Sequence, residues 1–83
     1  MKDNRQFIHL VTDFVAADNR AMQPVREIEG EFAELYDDDE RFEDLQYVLA
    51  MYDGSEENHK RLMSECRWAL RELTKTGSQQ PGA

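Results

Sequence analysis

Carboxylates are the chemically informative side chains of this protein, because they are concentrated in one stretch with almost no bases among them. Residues 27–57 contain thirteen acidic residues and a single base, Arg41, which gives this stretch a net charge of −12 in a chain whose total is −8. A block of one charge sign repels itself, which opposes folding but favours fast encounter with cations. A chain of this size has little stability to offset such repulsion. We therefore expect the acids to face a basic partner.

Residues that could support catalysis or metal binding do not complete a known motif. Glu56 and His59 have the Glu-x-x-His spacing of di-iron bundles, but Gln6 stands three residues before His9, so the second pair is missing. A calcium loop starting at Asp37 would need Gly at its sixth position and Glu at its twelfth, and the chain has neither. We expect no enzyme activity, no metal and no cofactor.

Composition limits where the chain works and what it binds. The lone Cys66 falls on an apolar helical stripe, so we expect a small core side chain and not a nucleophile. A single cysteine allows no internal disulfide and fits a reducing, cytoplasmic compartment. We expect no signal peptide, and no stretch of the sequence approaches the ~18 apolar residues of a membrane span. The net negative charge argues against nucleic acid and anionic membranes as direct ligands.

Apolar residues recur at helical spacing in four segments separated by short connections. This pattern predicts an all-α fold, a small antiparallel up-down four-helix bundle, as one domain over residues 1–76 with a disordered tail over 77–83. Asp3 or Asn4 can cap the first helix, and Ser55 the last. The four stripes are Phe7, Ile8, Leu10, Val11, Phe14 and Val15; Val25, Ile28, Phe32, Leu35 and Tyr36; Phe42, Leu45, Val48, Leu49 and Tyr52; and Leu62, Met63, Cys66, Ala69, Leu70 and Leu73.

Acids of the second predicted helix share one face and continue into the turn that follows. At about 100° per residue, acids spaced three or four residues apart form a stripe about 110° around the helix from the apolar one. This stripe leads into the acids of the turn and of the start of the third helix. We call the whole set the acidic ridge: Glu27, Glu31, Glu34, Asp37, Asp38, Asp39, Glu40, Glu43 and Asp44.

Structural roles explain only part of the acidic ridge. Acids at the start of the third helix complement its dipole, and Asp37 or Asp39 can cap it. Glu34 and Asp37 instead lie at the end of the second helix, where negative charge costs about 0.3–1 kcal/mol each. We therefore interpret the ridge as a binding surface and not merely a solvated face. The expected contact residues are Glu31, Glu34, Tyr36, Asp37, Asp38, Asp39, Glu40, Glu43 and Asp44.

Four further residues carry specific expectations. Gly30 lies inside the second helix, where it costs about 1 kcal/mol relative to Ala, and we expect a neighbouring helix to approach it closely. We expect Trp68 to pack as a flank under the N-terminal arm, with an exposed interface anchor as the alternative. Tyr36 and Tyr52 are expected at the edge of the core with their hydroxyls in water.

The order and spacing of the apolar segments carry a family resemblance. The segments concerned are residues 7–15, 32–36, 45–49, 51–53, Leu62 and 66–73. In these segments the chain resembles the bacterial self-protective, colicin-like immunity proteins, although the segment before the last helix is shorter than in most members. The resemblance implies an all-helical inhibitor that protects its producer from a cognate toxin, often a nuclease acting on RNA. The family offers acidic surface to a basic catalytic cleft, and the residues that match are Glu31, Glu34, Asp37, Asp38, Asp39, Glu40, Glu43 and Asp44.

Our leading hypothesis is therefore an antitoxin-type binder of a basic protein, most simply a toxin nuclease domain, that is a monomer when free. A phage-encoded nucleic-acid mimic that blocks a host defence complex would need the same acidic ridge. A small helical adaptor or oligomerisation module is the third hypothesis, and it predicts an exposed apolar stripe and a dimer.

Overall fold

The computed structural model describes residues 3–78, and every regular element in this range is helical. The elements are α1 (Arg5–Ala17), α2 (Met22–Tyr36), a 3-10 turn (Glu40–Phe42), α3 (Glu43–Met51) and α4 (Glu56–Ser78). Both α1 and α3 pack against α2 and α4, which closes a small bundle. The predicted all-α four-helix bundle is confirmed, and the antiparallel course of its helices stays a prediction. Among the described helices, none is both long enough and apolar enough to cross a bilayer.

A residue with a positive φ lies in the connection that follows α1 and in the one that follows α3. Asp18 follows α1 in the left-handed conformation, at φ 49°, and its N–H donates to the carbonyl of Phe14 at 3.0 Å. Gly54 lies beyond α3 at φ 81°, a conformation that glycine adopts without a steric penalty. Both residues turn the chain sharply, so the connections to α2 and α4 remain short.

The start of α4 follows the prediction, and its end differs slightly. The hydroxyl of Ser55 accepts a hydrogen bond from the N–H of Asn58 at 3.3 Å, which confirms Ser55 as the cap. The helix continues through Ser78, so the first two residues of the predicted tail are helical. The rest of that tail, residues 79–83, lies outside the described residues.

The core is built from the four predicted stripes. Among the residues whose burial the structure describes, fifteen apolar side chains are buried, and each belongs to one of those stripes: Phe7, Val11, Phe14, Val25, Ile28, Phe32, Phe42, Leu45, Val48, Leu49, Tyr52, Leu62, Met63, Cys66 and Ala69. Burial raises the pKa of the Cys66 thiol to about 12, so the thiol stays protonated at neutral pH. Cys66 therefore behaves as the apolar core residue that its position predicts.

A chain of aromatic rings fixes the corner between α2 and α3. The ring of Tyr36 lies 5.2 Å from that of Phe7 and 4.9 Å from that of Phe42, and Phe42 in turn meets Trp68 edge-on at 5.5 Å. Trp68 is half-buried against the ring of Phe42, as expected for a packed flank, and its packing under the N-terminal arm stays a prediction. These contacts tie α1, the 3-10 turn and α4 to the end of α2.

The hydroxyls of both expected core-edge tyrosines have protein partners, and Tyr52 departs from the predicted position at the core edge. The hydroxyl of Tyr36 accepts a hydrogen bond from the side-chain amide of Asn4 at 3.1 Å. Tyr52 is almost fully buried, and its hydroxyl lies 3.2 Å from Nδ1 of His59. The prediction treated both rings as lying at the core edge, whereas Tyr52 belongs to the core itself.

His59 is the buried polar residue at the junction of three helix ends. Its Nε2 lies 2.9 Å from Oδ1 of Asp18. A carboxylate only accepts hydrogen bonds, so in the neutral ring Nε2 carries the proton and Nδ1 accepts from the hydroxyl of Tyr52. The ring also packs edge-on against Phe14 at 5.7 Å. This network, which we call the His59 junction, joins α1, α4 and the end of α3.

Gly30 corrects another prediction. A Cβ atom added to Gly30 would meet no atom within 4 Å outside the helix's own backbone, so no neighbouring helix approaches it. Gly30 instead lies on an open surface depression between α1 and α2, beside Glu27, Glu31 and Glu34. Packing therefore does not explain the glycine.

Candidate protein-binding surface

The corner that carries the acidic ridge is held by backbone hydrogen bonds. The N–H of Asp39 donates to the carbonyl of Tyr36 at 3.0 Å, and the N–H of Phe42 donates to the carbonyl of Asp39 at 3.0 Å. The side chain of Asp39 accepts a hydrogen bond from the N–H of Arg41, also at 3.0 Å. Asp39 thus caps the 3-10 turn that leads into α3, whereas α3 itself begins after Phe42 without a side-chain cap, so the prediction that Asp37 or Asp39 caps the third helix is met only at the preceding turn. The acids of the corner are consequently presented by a defined turn between two helices.

The single base of the acidic stretch is bound within this turn. Arg41 makes two side-chain hydrogen bonds to Asp39, at 2.8 and 3.2 Å, and its guanidinium lies 4.9 Å from the ring centre of Phe42. The hydrogen bond from Arg41 holds the pKa of Asp39 below its ordinary value. Arg41 therefore offsets the charge of Asp39, and within the described residues it forms no salt bridge to another acid of the corner.

The remaining acids of the corner lie together on the surface. Two open depressions share residues 37–40, and one of them reaches back to Glu34 while the other reaches forward to Glu43. The side chains of Asp37, Asp38, Glu40 and Glu43 are exposed. Within residues 3–78, these four acids form no salt bridge shorter than 4 Å. The structure therefore brings these acids onto one surface, and their role in binding a partner stays a prediction.

The α2 part of the ridge continues this surface along the helix. Glu34 lines both the corner depression and the one beside Gly30, which also holds Glu27 and Glu31. The nearby base Arg26 pairs with Glu29 at 3.2 Å and not with a ridge acid. From Glu27 to Glu43 the acids thus share a chain of adjoining depressions.

Asp44 lies to one side of the other ridge acids. It borders a depression with Arg41, Glu65 and Trp68, between α3 and α4. Burial, followed by the negative charge of Asp44, raises the pKa of Glu65. The acidic surface therefore extends onto α4 through Glu65, which the sequence analysis did not single out because no spacing rule links it to α3.

Tyr36 differs from the other expected contact residues. It is half-buried among the rings of Phe7, Phe32 and Phe42, and its hydroxyl is bonded to Asn4. Its main contacts support the corner from beneath. Tyr36 is the aromatic residue among the nine expected contact residues, and its ring belongs chiefly to the packing of the bundle.

Two exposed apolar side chains on α3 were not anticipated. Tyr47 is 55% exposed and Met51 is 52% exposed, and they are the large exposed hydrophobics of the described residues. They follow Glu43 at spacings of four residues, so all three lie on one face of α3. The signal was present in the sequence, since these residues fall outside the apolar stripe of the third helix.

The described residues contain no cluster of three or more His, Cys, Asp or Glu side chains arranged to hold a metal ion. The arrangement offers instead a broad carboxylate surface of the kind that pairs with Lys and Arg side chains. Comparisons with protein-family models, curated proteins and solved structures return no match for this chain, so the resemblance to immunity proteins stays a prediction.

Proposed function

We propose that this protein is an antitoxin-type inhibitor that binds a basic toxin nuclease domain through the acidic ridge. The observation that carries the proposal is the exposed group of carboxylates from Glu34 to Glu43, whose one intervening base, Arg41, is already bound to Asp39. Occupation of the nuclease cleft by these carboxylates would exclude the phosphates of its substrate. Its site of action is then the cytoplasm of the producing cell.

The physical basis is electrostatic complementarity on a preformed surface. Residues three or four apart on a helix have Cβ atoms about 5–6 Å apart, so the α2 acids form a regular row of negative charge. Complementary potentials raise association rates to as much as ~10⁸–10⁹ M⁻¹s⁻¹ at low salt. The corner is held by its hydrogen bonds and aromatic contacts, so little ordering is needed when a partner binds.

The first prediction concerns two charge reversals in the ridge. Replacing Asp37 and Asp38 with Lys should weaken binding to a basic toxin ribonuclease domain by at least about tenfold at low salt, because two attractive charges become repulsive. Asp39 is left unchanged because it caps the 3-10 turn. The measurement is calorimetric titration against a panel of purified basic toxin ribonuclease domains, together with inhibition of their RNA cleavage.

The matched control is the triple variant Asp13→Lys/Ala16→Lys/Ser64→Lys, which changes the net charge equally on exposed positions of α1 and α4. It should keep most of the affinity, and circular dichroism should show both variants helical. If both variants weaken binding equally, the loss of affinity comes from net charge and not from the position of the ridge acids. If no domain of the panel is bound or inhibited, the proposal is wrong.

A further inference from the structure

The exposed face of α3 combines two kinds of surface in one row. Glu43 and Asp44 are exposed at its first turn, and Tyr47, Ala50 and Met51 are exposed along the rest. Spacings of three and four residues place them on one side of the helix. The face is therefore acidic where it meets the corner and apolar where it ends.

The exposure of this apolar part is not a sign of a loosely held helix. Leu45, Val48 and Leu49 bury the opposite side of α3 in the core. Buried rings anchor both ends, with Phe42 before the helix and Tyr52 after it. Tyr47 and Met51 are thus held out on a packed helix, where a partner can cover them at little cost in backbone order.

We propose that this α3 face is a docking surface for a basic amphipathic helix of the partner protein, with apolar side chains that cover Tyr47 and Met51 and with Lys or Arg side chains that reach Glu43 and Asp44. The inference rests on the proposed function, and it identifies which part of the interface is desolvated. Tyr is enriched among residues that dominate binding energies, and both Tyr and Met are enriched in interface cores, whereas the surrounding acids set encounter and orientation.

The negative charge around the α3 face indicates which kind of partner can bind there. Beyond the apolar part of α3, the connection to α4 and the first turn of α4 add exposed acids, namely Asp53, Glu56 and Glu57. Acids therefore lie before and after the apolar residues along the chain. A second copy of a chain with net charge −8 would bring like charges together on this face, whereas a basic helix would pair with them.

The second prediction uses two synthetic helical peptides as probes. One carries Leu along one side with Lys and Arg beside it, and the other has Ala in place of each Leu. The Leu peptide should shift the backbone amide signals of Tyr47, Ala50 and Met51 in an isotope-labelled sample. The Ala peptide should bind the parent protein more weakly than the Leu peptide does, by about tenfold or more. The variant Tyr47→Gln/Met51→Gln should bind the Leu peptide more weakly than the parent protein does, by a similar factor.

Controls separate this inference from the proposed function. Ala16→Gln, an exposed change on α1, should leave affinity for the Leu peptide unchanged. Equal binding of both peptides, with shifts confined to residues 37–40, would overturn docking on α3 and leave the ridge proposal standing. No binding of either peptide at low salt would contradict both. A dimer by light scattering that is lost in Tyr47→Gln/Met51→Gln would replace the basic helix with a second copy.

Discussion

The His59 junction and the α2–α3 corner both bring carboxylates to places where helices meet, but they use them differently. At the junction, Asp18 is bonded to a buried histidine. Asp53 directly follows Tyr52 in the chain. It accepts hydrogen bonds from the Ser55 N–H and the Asn58 side chain, which lower its pKa. At the corner, Asp39 is the acid with a comparable role among the described contacts. Carboxylates at the junction hold the fold together, and most of those at the corner are available to another molecule.

The largest expected effect comes from breaking the junction. His59→Ala removes one buried and one partly buried hydrogen bond and an edge contact with Phe14, and it leaves the hydroxyl of Tyr52 without its partner. We expect a loss of about 2–4 kcal/mol in the free energy of unfolding, measured by urea denaturation. The matched change at the corner, Asp37→Asn, should alter this free energy by less than about 0.5 kcal/mol. Similar losses in both variants would remove the distinction between the two regions.

A smaller effect of opposite sign is expected beside the ridge. Gly30→Ala should raise the free energy of unfolding by about 0.5–1 kcal/mol, because Ala restricts the unfolded chain and the added Cβ meets no atom within 4 Å. Thermal unfolding followed by circular dichroism measures the change. A destabilised variant would show that something approaches Gly30 after all.

The smallest effect concerns the pH response of the corner. Arg41 holds the pKa of Asp39 down, so the stabilisation from their pairing is present above the ordinary aspartate pKa and is lost as the pH falls through the lowered one. Carboxyl NMR titration of the Arg41→Gln variant should therefore show Asp39 protonating at a higher pH than in the parent. An unchanged Asp39 titration would show that Arg41 does not control this carboxylate.

Much of the fold was readable from the sequence, because burial in a helical bundle follows apolar periodicity. Every apolar side chain that is buried in the described part of the chain falls on a predicted stripe, and the positions of Ser55 and Asp39 as caps follow from side-chain chemistry. The convergence of the ridge acids was predictable for the same reason. Helical spacing places the acids of α2 in one row, and a short turn carries that row to α3.

What the sequence did not reveal depends on contacts between distant residues. Asp18 and His59 are separated by 41 positions, and no periodic signal joins them. His59 does fall three residues before Leu62, on the buried face of α4, which was a clue to its burial. The open space at Gly30 and the approach of Asp44 to Glu65 depend on how each helix is rotated about its axis relative to its neighbour. The apolar pattern of a single helix does not determine that rotation.

The position of Trp68 has a practical consequence. It is the chain's single tryptophan, and it lies half-buried against Phe42 beside Asp44 and Glu65. Its intrinsic fluorescence therefore originates at the seam where α4 borders α3, without any label. A partner that binds at this seam changes the surroundings of the indole. Emission spectra of Trp68 can therefore follow binding of the partner in real time.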